Sequence, residues 1–386
     1  MIRKTGALRV LLPTAALSLL FLWIDSGVFL HETLSRGQTF GRDFASFWTA
    51  STLVWRGEAL TLFDPATYQT ALDQIMGSNL AFMPFPYPPS ALFYLLPLGV
   101  LPYGWALVLW LAVTIALLAF LLRRQLTPAW LGLLLLAPAS AVNISTGQNG
   151  FLSAALLCGG LLVLEKRPIL AGMLFGLLSY KPQLGLIVPL LLIAGGYWRT
   201  FIAAGATVAL LVIGSALIFG SEAWLLFLEK TGPQQLAFMQ SGTGRFQAMT
   251  PSFFMTARLA GMPTWTGWLL QALSALAAIV GTLLAWRRDI PPRMKAAIAM
   301  VAAFMISPYV LSYDMVILAV AMALAIPMLG GRWWSWGVLL LSWTAPISML
   351  FVPTWLGPVS TSLLFLLLLW RSANPDIEAP ALVGQE

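Results

Sequence analysis

Long apolar runs recur along the chain, and most of them end in a short polar motif. A transmembrane helix needs roughly 20 apolar residues, within a range of about 17–25. Residues 8–24 meet that length and lead into a polar stretch over 25–87. Further apolar runs occupy 102–122, 128–142, 151–164, 169–180, 183–197, 201–219, 265–286, 296–307, 313–329, 333–351 and 355–370. Several are short for a comfortable crossing unless the bilayer thins or polar ends dip inward. Short runs beside polar motifs point to a cavity inside the bundle. With 88–101 taken as interfacial or re-entrant, the pattern predicts an all-α polytopic membrane protein of about 12 transmembrane helices. One integral domain covers 1–371, and a cytoplasmic tail follows over 372–386.

Two outer loops separate the runs, at about 25–101 and 220–264. In the first, Phe44, Phe47, Trp48 and Trp55 share one face of a helix that ends near Gly57. Asp64 then caps a second helix, with Pro65 at its first position and Gly77 at its end. Amphipathic helices of this kind lie at a membrane surface.

Composition agrees with the pattern. Of 386 residues 59% are apolar and 9% charged, and the mean hydropathy is +0.86. A soluble domain is about a quarter charged, so both a soluble protein and a disordered one are excluded. The single Cys158 permits no intramolecular disulfide, and with one histidine, His31, metal chemistry loses its usual ligands. No metal and no cofactor are expected. The chemistry falls to carboxylates, Arg, Lys, amides and aromatics.

The first run carries Arg3, Lys4 and Arg9, and Trp23-Ile24-Asp25 stands where a cleavage site would need small residues. It reads as a retained span with its N-terminus in the cytoplasm. The positive-inside rule then places Arg123, Arg124, Lys166, Arg167, Arg199, Arg287, Arg288, Arg293, Lys295, Arg332 and Arg371 in the cytoplasm. That side is net +9 and the outer side −2, together the +7 of the whole chain. The charge is topology, so nucleic acid is not a partner; the lipid bilayer is. Most of the 17 Trp form an interfacial belt. No Walker loop, dinucleotide fingerprint, zinc motif or nucleophile elbow is present.

On this topology the polar motifs collect at the outer ends of the spans. They are Arg42-Asp43, Tyr87-Pro88-Pro89, Gln148-Asn149, Lys181-Pro182-Gln183, and Ser307-Pro308-Tyr309 with Asp314. Polar groups at membrane depth default to function. Asp43 is either the N-cap of the helix it precedes or a general base. Lys181 either snorkels to the interface or contacts a phosphate, with Gln183, Gln148 and Asn149 near it. Arg245 and Arg258 complete an anion clamp or are ordinary loop charges. Asp314 is either another cap or the partner of Lys181. Arg42 and Tyr87 join them as substrate-binding candidates.

Taken in order, an N-terminal span, Arg42-Asp43-Phe44 with Phe47-Trp48, Tyr87-Pro88-Pro89, Gly147-Gln148-Asn149, Lys181-Pro182 and Ser307-Pro308 resemble glycosyltransferase family 87. The resemblance extends over about residues 8–370. It implies a GT-C-like bundle similar to the bacterial polyprenol-phosphate-mannose-dependent α-1,2-mannosyltransferases. It also implies a polyprenyl-phosphate sugar donor, a glycolipid or glycan acceptor, and inversion at the anomeric carbon. The site would face the outside of the bacterial inner membrane, with Asp43 as base. The acidic residue stands alone, without the Asp-Asp or Asp-Glu pair of some GT-C relatives. Two readings of other kinds compete: a secondary transporter or lipid flippase, and a polymerase or ligase of surface glycans. A transporter would show inverted repeats with paired broken helices, and none is evident.

Overall fold

The computed structural model describes residues 11–26, 41–77, 83–242, 244–329, 332–351 and 355–374, and of residues 245 and 246 the backbone alone. Every regular element among them is helical. The chain enters through α1 (Leu11–Ser26). The first outer segment folds α2 (Phe44–Trp55), α3 (Pro65–Met76) and α4 (Pro89–Leu98). There follow α5 (Tyr103–Leu122), α6 (Pro128–Leu135), α7 (Pro138–Thr146) and α8 (Gly150–Val163). Next come α9 (Pro168–Tyr180), α10 (Pro182–Ala194) and α11 (Trp198–Phe219). The second outer segment holds α12 (Ser221–Leu226), α13 (Gly232–Ser241), α14 (Arg245–Ala248) and α15 (Phe253–Leu259). The bundle closes with α16 (Thr264–Trp286), α17 (Pro292–Ile306), α18 (Ser312–Met328), α19 (Trp333–Ser348) and α20 (Leu356–Ala373).

Proline sets many of the starts. Pro65, Pro128, Pro138, Pro168 and Pro182 each occupy a first turn, where the missing N–H costs nothing and φ is already helical. Pro138 also divides one apolar run into α6 and α7, which meet at 55°. Four helices, α5, α11, α16 and α20, are long and apolar enough to cross a membrane, or five spans if α6 and α7 count as one.

The short apolar helices lie inside. α8 is buried from Gly150 to Leu161, and α18 from Val316 to Ala325. In α17 and α18 alanines recur among the buried positions, Ala296, Ala297, Ala299, Ala302 and Ala303 against Ala319, Ala321 and Ala323. Small side chains let helix backbones approach closely where lipid supplies no hydrophobic drive. By contrast, α11 buries only Thr200, Ser215 and Phe219. A helix wrapped in protein need not match the thickness of the lipid, which explains why the runs that looked too short are the central ones.

The first outer segment departs from expectation at one helix. α3 forms as the sequence suggests: it buries Tyr68 and Leu72, and it ends at Gly77 with φ 68°. α2 is no surface helix. It buries Phe44, Phe47 and Leu53, and also Ser46, Thr49 and Ser51. The reason is packing on both sides: α3 covers one, where Tyr68 Oη donates to the Ser46 carbonyl at 2.9 Å, and α4 folds back over the aromatic one. Trp48 Nε1 donates to the Leu101 carbonyl at 2.9 Å, and Ser51 Oγ donates to the Leu96 carbonyl at 3.1 Å. Phe47 packs edge-on against Trp110 of α5, with ring centroids 5.8 Å apart. α4 itself is short, an α-helical turn (Leu92–Leu95) between two 3-10 turns.

The two ends of the bundle differ. At one end Arg288 donates to Ser372 Oγ at 2.7 Å, Arg332 lies over the Trp370 ring at 5.9 Å, and Arg371 reaches the Met328 carbonyl. The polar motifs gather at the other end. α1 is fastened to the far end of the sequence, where Trp343 Nε1 of α19 donates to Thr14 Oγ1 at 2.9 Å.

Candidate functional site

A cavity of about 1320 Å³ opens at the motif end of the bundle. Its wall is mainly apolar, from α1, α11, α13 and α19, and Arg42, Asp43, Tyr87, Gln148, Lys181, Gln183 and Asp314 all face into it. Seven of the ten candidate positions therefore meet in one place, although they come from five separate stretches of sequence.

Local geometry decides what each can do. Asp43 precedes α2, but its backbone is already helical (φ −81°, ψ −24°) and its side chain makes no capping bond. Its N–H donates instead to the Thr146 carbonyl at 3.1 Å. The carboxylate accepts from Gln148 Nε2 at 3.0 Å. Burial pushes the Asp43 carboxyl above its ordinary range, opposed by the charge of Arg42 and the bond from Gln148. The capping alternative is thus replaced by a half-buried carboxylate aimed at the turn before α8.

Gln148 is delivered by the turn between α7 and α8. Gly147 holds φ 71°, and a Cβ there would stand 2.6 Å from the Phe44 Cβ. At Gly150 a Cβ would meet the Tyr313 carbonyl oxygen at 2.2 Å. The turn therefore presses directly against α2 on one side and the start of α18 on the other, as only glycine permits. The Asn143 amide, with its nitrogen toward the Gln148 carbonyl at 2.9 Å and its oxygen toward the Gly150 N–H at 2.7 Å, ties the turn to α7. Asn149 lies beneath the cavity rather than in its wall, and its Nδ2 donates to Tyr87 Oη at 3.0 Å.

Lys181 sits at the break between α9 and α10, which Pro182 enforces. It does not snorkel. Its Nζ is 2.6 Å from Asp314 Oδ1, with both side chains almost wholly buried, and 4.8 Å from the centre of the Tyr313 ring. Asp314 fills both roles the sequence left open, because its Oδ2 accepts from the Leu311 N–H at 3.4 Å. Arg42 Nη1 pairs with Asp25 Oδ1 at 3.2 Å. Asp25, at the end of α1, went unrecognised as a site residue, as did Tyr309 and Tyr313. All three are aligned only by packing, although Ser307-Pro308-Tyr309 was itself a flagged motif.

Of the two arginines of the second loop, Arg258 lies away from the cavity. Arg258 donates to the Gly242 carbonyl and lies 3.4 Å from Met255 Sδ, outside the cavity wall. Its carbonyl partner is supplied by the loop between α13 and α14, which draws the guanidinium away. The Arg245 side chain lies outside the described residues. What the second loop does contribute is α13, whose Gln235 and Met239 line the cavity. It is held to the first loop by Lys230–Asp64 and by Thr231 Oγ1 donating to the Phe63 carbonyl at 3.3 Å.

No group of three or more His, Cys, Asp or Glu side chains suited to a metal occurs among the described residues. Neither a curated protein nor a solved structure matches the chain. The family model of glycosyltransferase family 87 matches residues 85–308, more than half of it. The match takes in Tyr87, Gln148, Asn149, Lys181 and Gln183, while Asp25, Asp43 and Asp314 lie beyond its ends and reach the same cavity through the fold. With that match over the central helices and their polar turns, the chain belongs to glycosyltransferase family 87.

Proposed function

We propose that this glycosyltransferase moves a hexose, mannose being the first candidate, from a polyprenyl-phosphate donor to a glycolipid or glycan acceptor with inversion. The GT-C-like bundle of about 12 spans would sit in the bacterial inner membrane with the cavity facing outward. The sorting of basic residues to one end of the bundle and the polar motifs to the other supports this orientation. Twelve crossings would require the short, protein-wrapped helices to span as well.

One observation carries the reading: a half-buried carboxylate, Asp43, faces a mainly apolar cavity alongside two cations, Lys181 and Arg42. In the reaction the acceptor hydroxyl oxygen attacks the anomeric carbon from the face opposite the phosphate. The bond between that carbon and the phosphate oxygen breaks, its electron pair leaving on the polyprenyl phosphate. The hydroxyl proton passes to the Asp43 carboxylate. A positioned base contributes about 10²–10⁴-fold, and donors aimed at the developing charge in a dry site supply several kcal/mol more. Lys181 and Arg42 each already hold a carboxylate, so a lipid phosphate enters by sharing the cation with Asp314 or Asp25.

The test is radiolabelled sugar transfer by purified protein across a panel of polyprenyl-phosphate sugars, with the anomeric configuration of the product read by NMR. A single added sugar of inverted configuration, abolished by Asp43→Asn, is expected. Block transfer of a glycan, retention of configuration, or use of a soluble nucleotide sugar alone would overturn the reading.

A further inference from the structure

Gln148 and Asn149 entered as candidate contacts for the donor, but their hydrogen bonds run toward Asp43. Asn149 Nδ2 donates to Tyr87 Oη at 3.0 Å. The Tyr87 hydroxyl, having accepted that bond, gives its own hydrogen to Gln148 Oε1 at 3.4 Å. The Asn149 N–H also points at Oε1, again at 3.4 Å. With its oxygen facing two donors, the Gln148 amide has one sense, and Nε2 faces Asp43 Oδ2 at 3.0 Å. Among the described residues it is the one hydrogen-bond donor to that carboxylate. The glycine-enforced turn fixes the backbone of Gln148, so the amide arrives at Asp43 with little freedom.

We infer that Gln148 is a positioning residue for Asp43: its N–H pins Oδ2 and leaves Oδ1 as the oxygen that takes the acceptor proton. This rests on Asp43 being the base. An amide suits the task because it donates without titrating. A carboxylic acid in its place would share a proton with Asp43, and a hydrocarbon would leave the carboxylate free to rotate. The bond also favours the ionised form, against the burial that opposes it. Other charged and titratable groups surround Asp43. Arg42 comes from its own segment, Asp25 from α1, Lys181 from the α9–α10 break and Asp314 from α18, with the hydroxyls of Tyr87, Tyr103, Tyr309 and Tyr313. Of these only Tyr87 bonds the Gln148 side chain, and a phenol stays neutral through an acid limb, so a shift of that limb belongs to the bond lost from Asp43.

The experiment is the pH dependence of sugar transfer by Gln148→Met and Gln148→Glu, each checked for folding by thermal melting in detergent. Gln148→Met keeps the length and loses the donor. Its kcat/KM should fall roughly tenfold to hundredfold, the scale of a misplaced catalytic group. The acid limb of its profile should move to higher pH while the donor KM stays near wild type. Gln148→Glu sets a second carboxylate against Asp43, and the acid limb should move further in the same direction. Profiles of both variants that superpose on wild type would overturn the positioning role, even with Asp43→Asn inactive. Normal transfer by Asp43→Asn would instead overturn the base reading, and this inference with it. A loss of kcat/KM carried wholly by a raised donor KM would return Gln148 to substrate binding.

Discussion

Asp43 and Asp64 stand in the same outer segment, each just ahead of a twelve-residue helix, and they do opposite things. Asp64 has an extended backbone (φ −109°, ψ 108°), and its carboxylate accepts from the Thr67 N–H at 3.2 Å. That is the geometry of an N-cap. Asp43 is already in the helical region, so its carboxylate is not returned to its own first turn but reaches Gln148, 105 residues further on. Their titration diverges accordingly. Lys230 and the Thr67 N–H hold the Asp64 carboxyl down at about 2, whereas burial holds the Asp43 carboxyl up. One dihedral pair separates an aspartate that caps its helix from one that faces the cavity.

The largest expected effect lies at Asp43. Since its side chain caps nothing, Asp43→Asn should melt like wild type while turnover falls by about 10²–10⁴-fold. Near-normal transfer would erase the distinction between the two aspartates. Next comes Lys181→Ala, which strands Asp314 as a buried, unpaired charge. Breaking such a pair costs ~3–5 kcal/mol, so the single variant should show a sharply lowered melting temperature. Pairing Lys181→Met with Asp314→Asn should restore folding without restoring use of the lipid-phosphate donor. A Lys181→Ala protein that melts normally would mean the pair is not buried as described.

At Asp64 the effects are smaller and confined to stability. Asp64→Ala should cost ~1 kcal/mol in a denaturation series and leave transfer rates unchanged, while Asp64→Asn keeps the cap. A catalytic defect in Asp64→Asn would break the comparison from the other side. The smallest effect is the pH dependence. The Asp64 value in the fold is about 2, below the ordinary ~3.9 of a free aspartate. Its stabilisation is therefore complete above pH ~4 and lost as pH falls toward 2. Over that window the melting gap between wild type and Asp64→Ala should close. Transfer should be lost in the same direction but at higher pH: with Asp43 as the proposed base, the rate should fall as pH drops through its raised value, above the Asp64 window.

How much was legible follows from how far each partner lies along the chain. α3 could be read from Asp64, Pro65 and Gly77 because caps and breakers act within a few residues. The Lys181–Pro182 break was legible for the same reason. The pairing of Lys181 with Asp314 was one of two readings, and only packing chose it. Asp25 gave no sign of its role, since a carboxylate at the end of a first span looks like an ordinary interfacial charge. Arg258 misled because a basic side chain in an outer loop looks the same whether it faces a cavity or a carbonyl. The burial of α2 is not legible in α2 itself, because it depends on α3 and α4 folding against it from further along the chain.

The hydrogen bond from Trp343 to Thr14 has a consequence for how the protein is made. α1 is synthesised well before α19 and forms part of the cavity wall with Leu17, Leu20 and Phe21. Its polar anchor is 329 residues downstream, on the penultimate helix. During synthesis α1 must therefore wait, its Thr14 hydroxyl bonded only to its own helix, until α19 has been made. Contacts so distant in sequence are the last to be rewarded. Nascent chains stopped before α19 should possess Asp43, Gln148 and Lys181 and still lack a closed cavity, so that the newborn enzyme stays silent until its last two helices arrive.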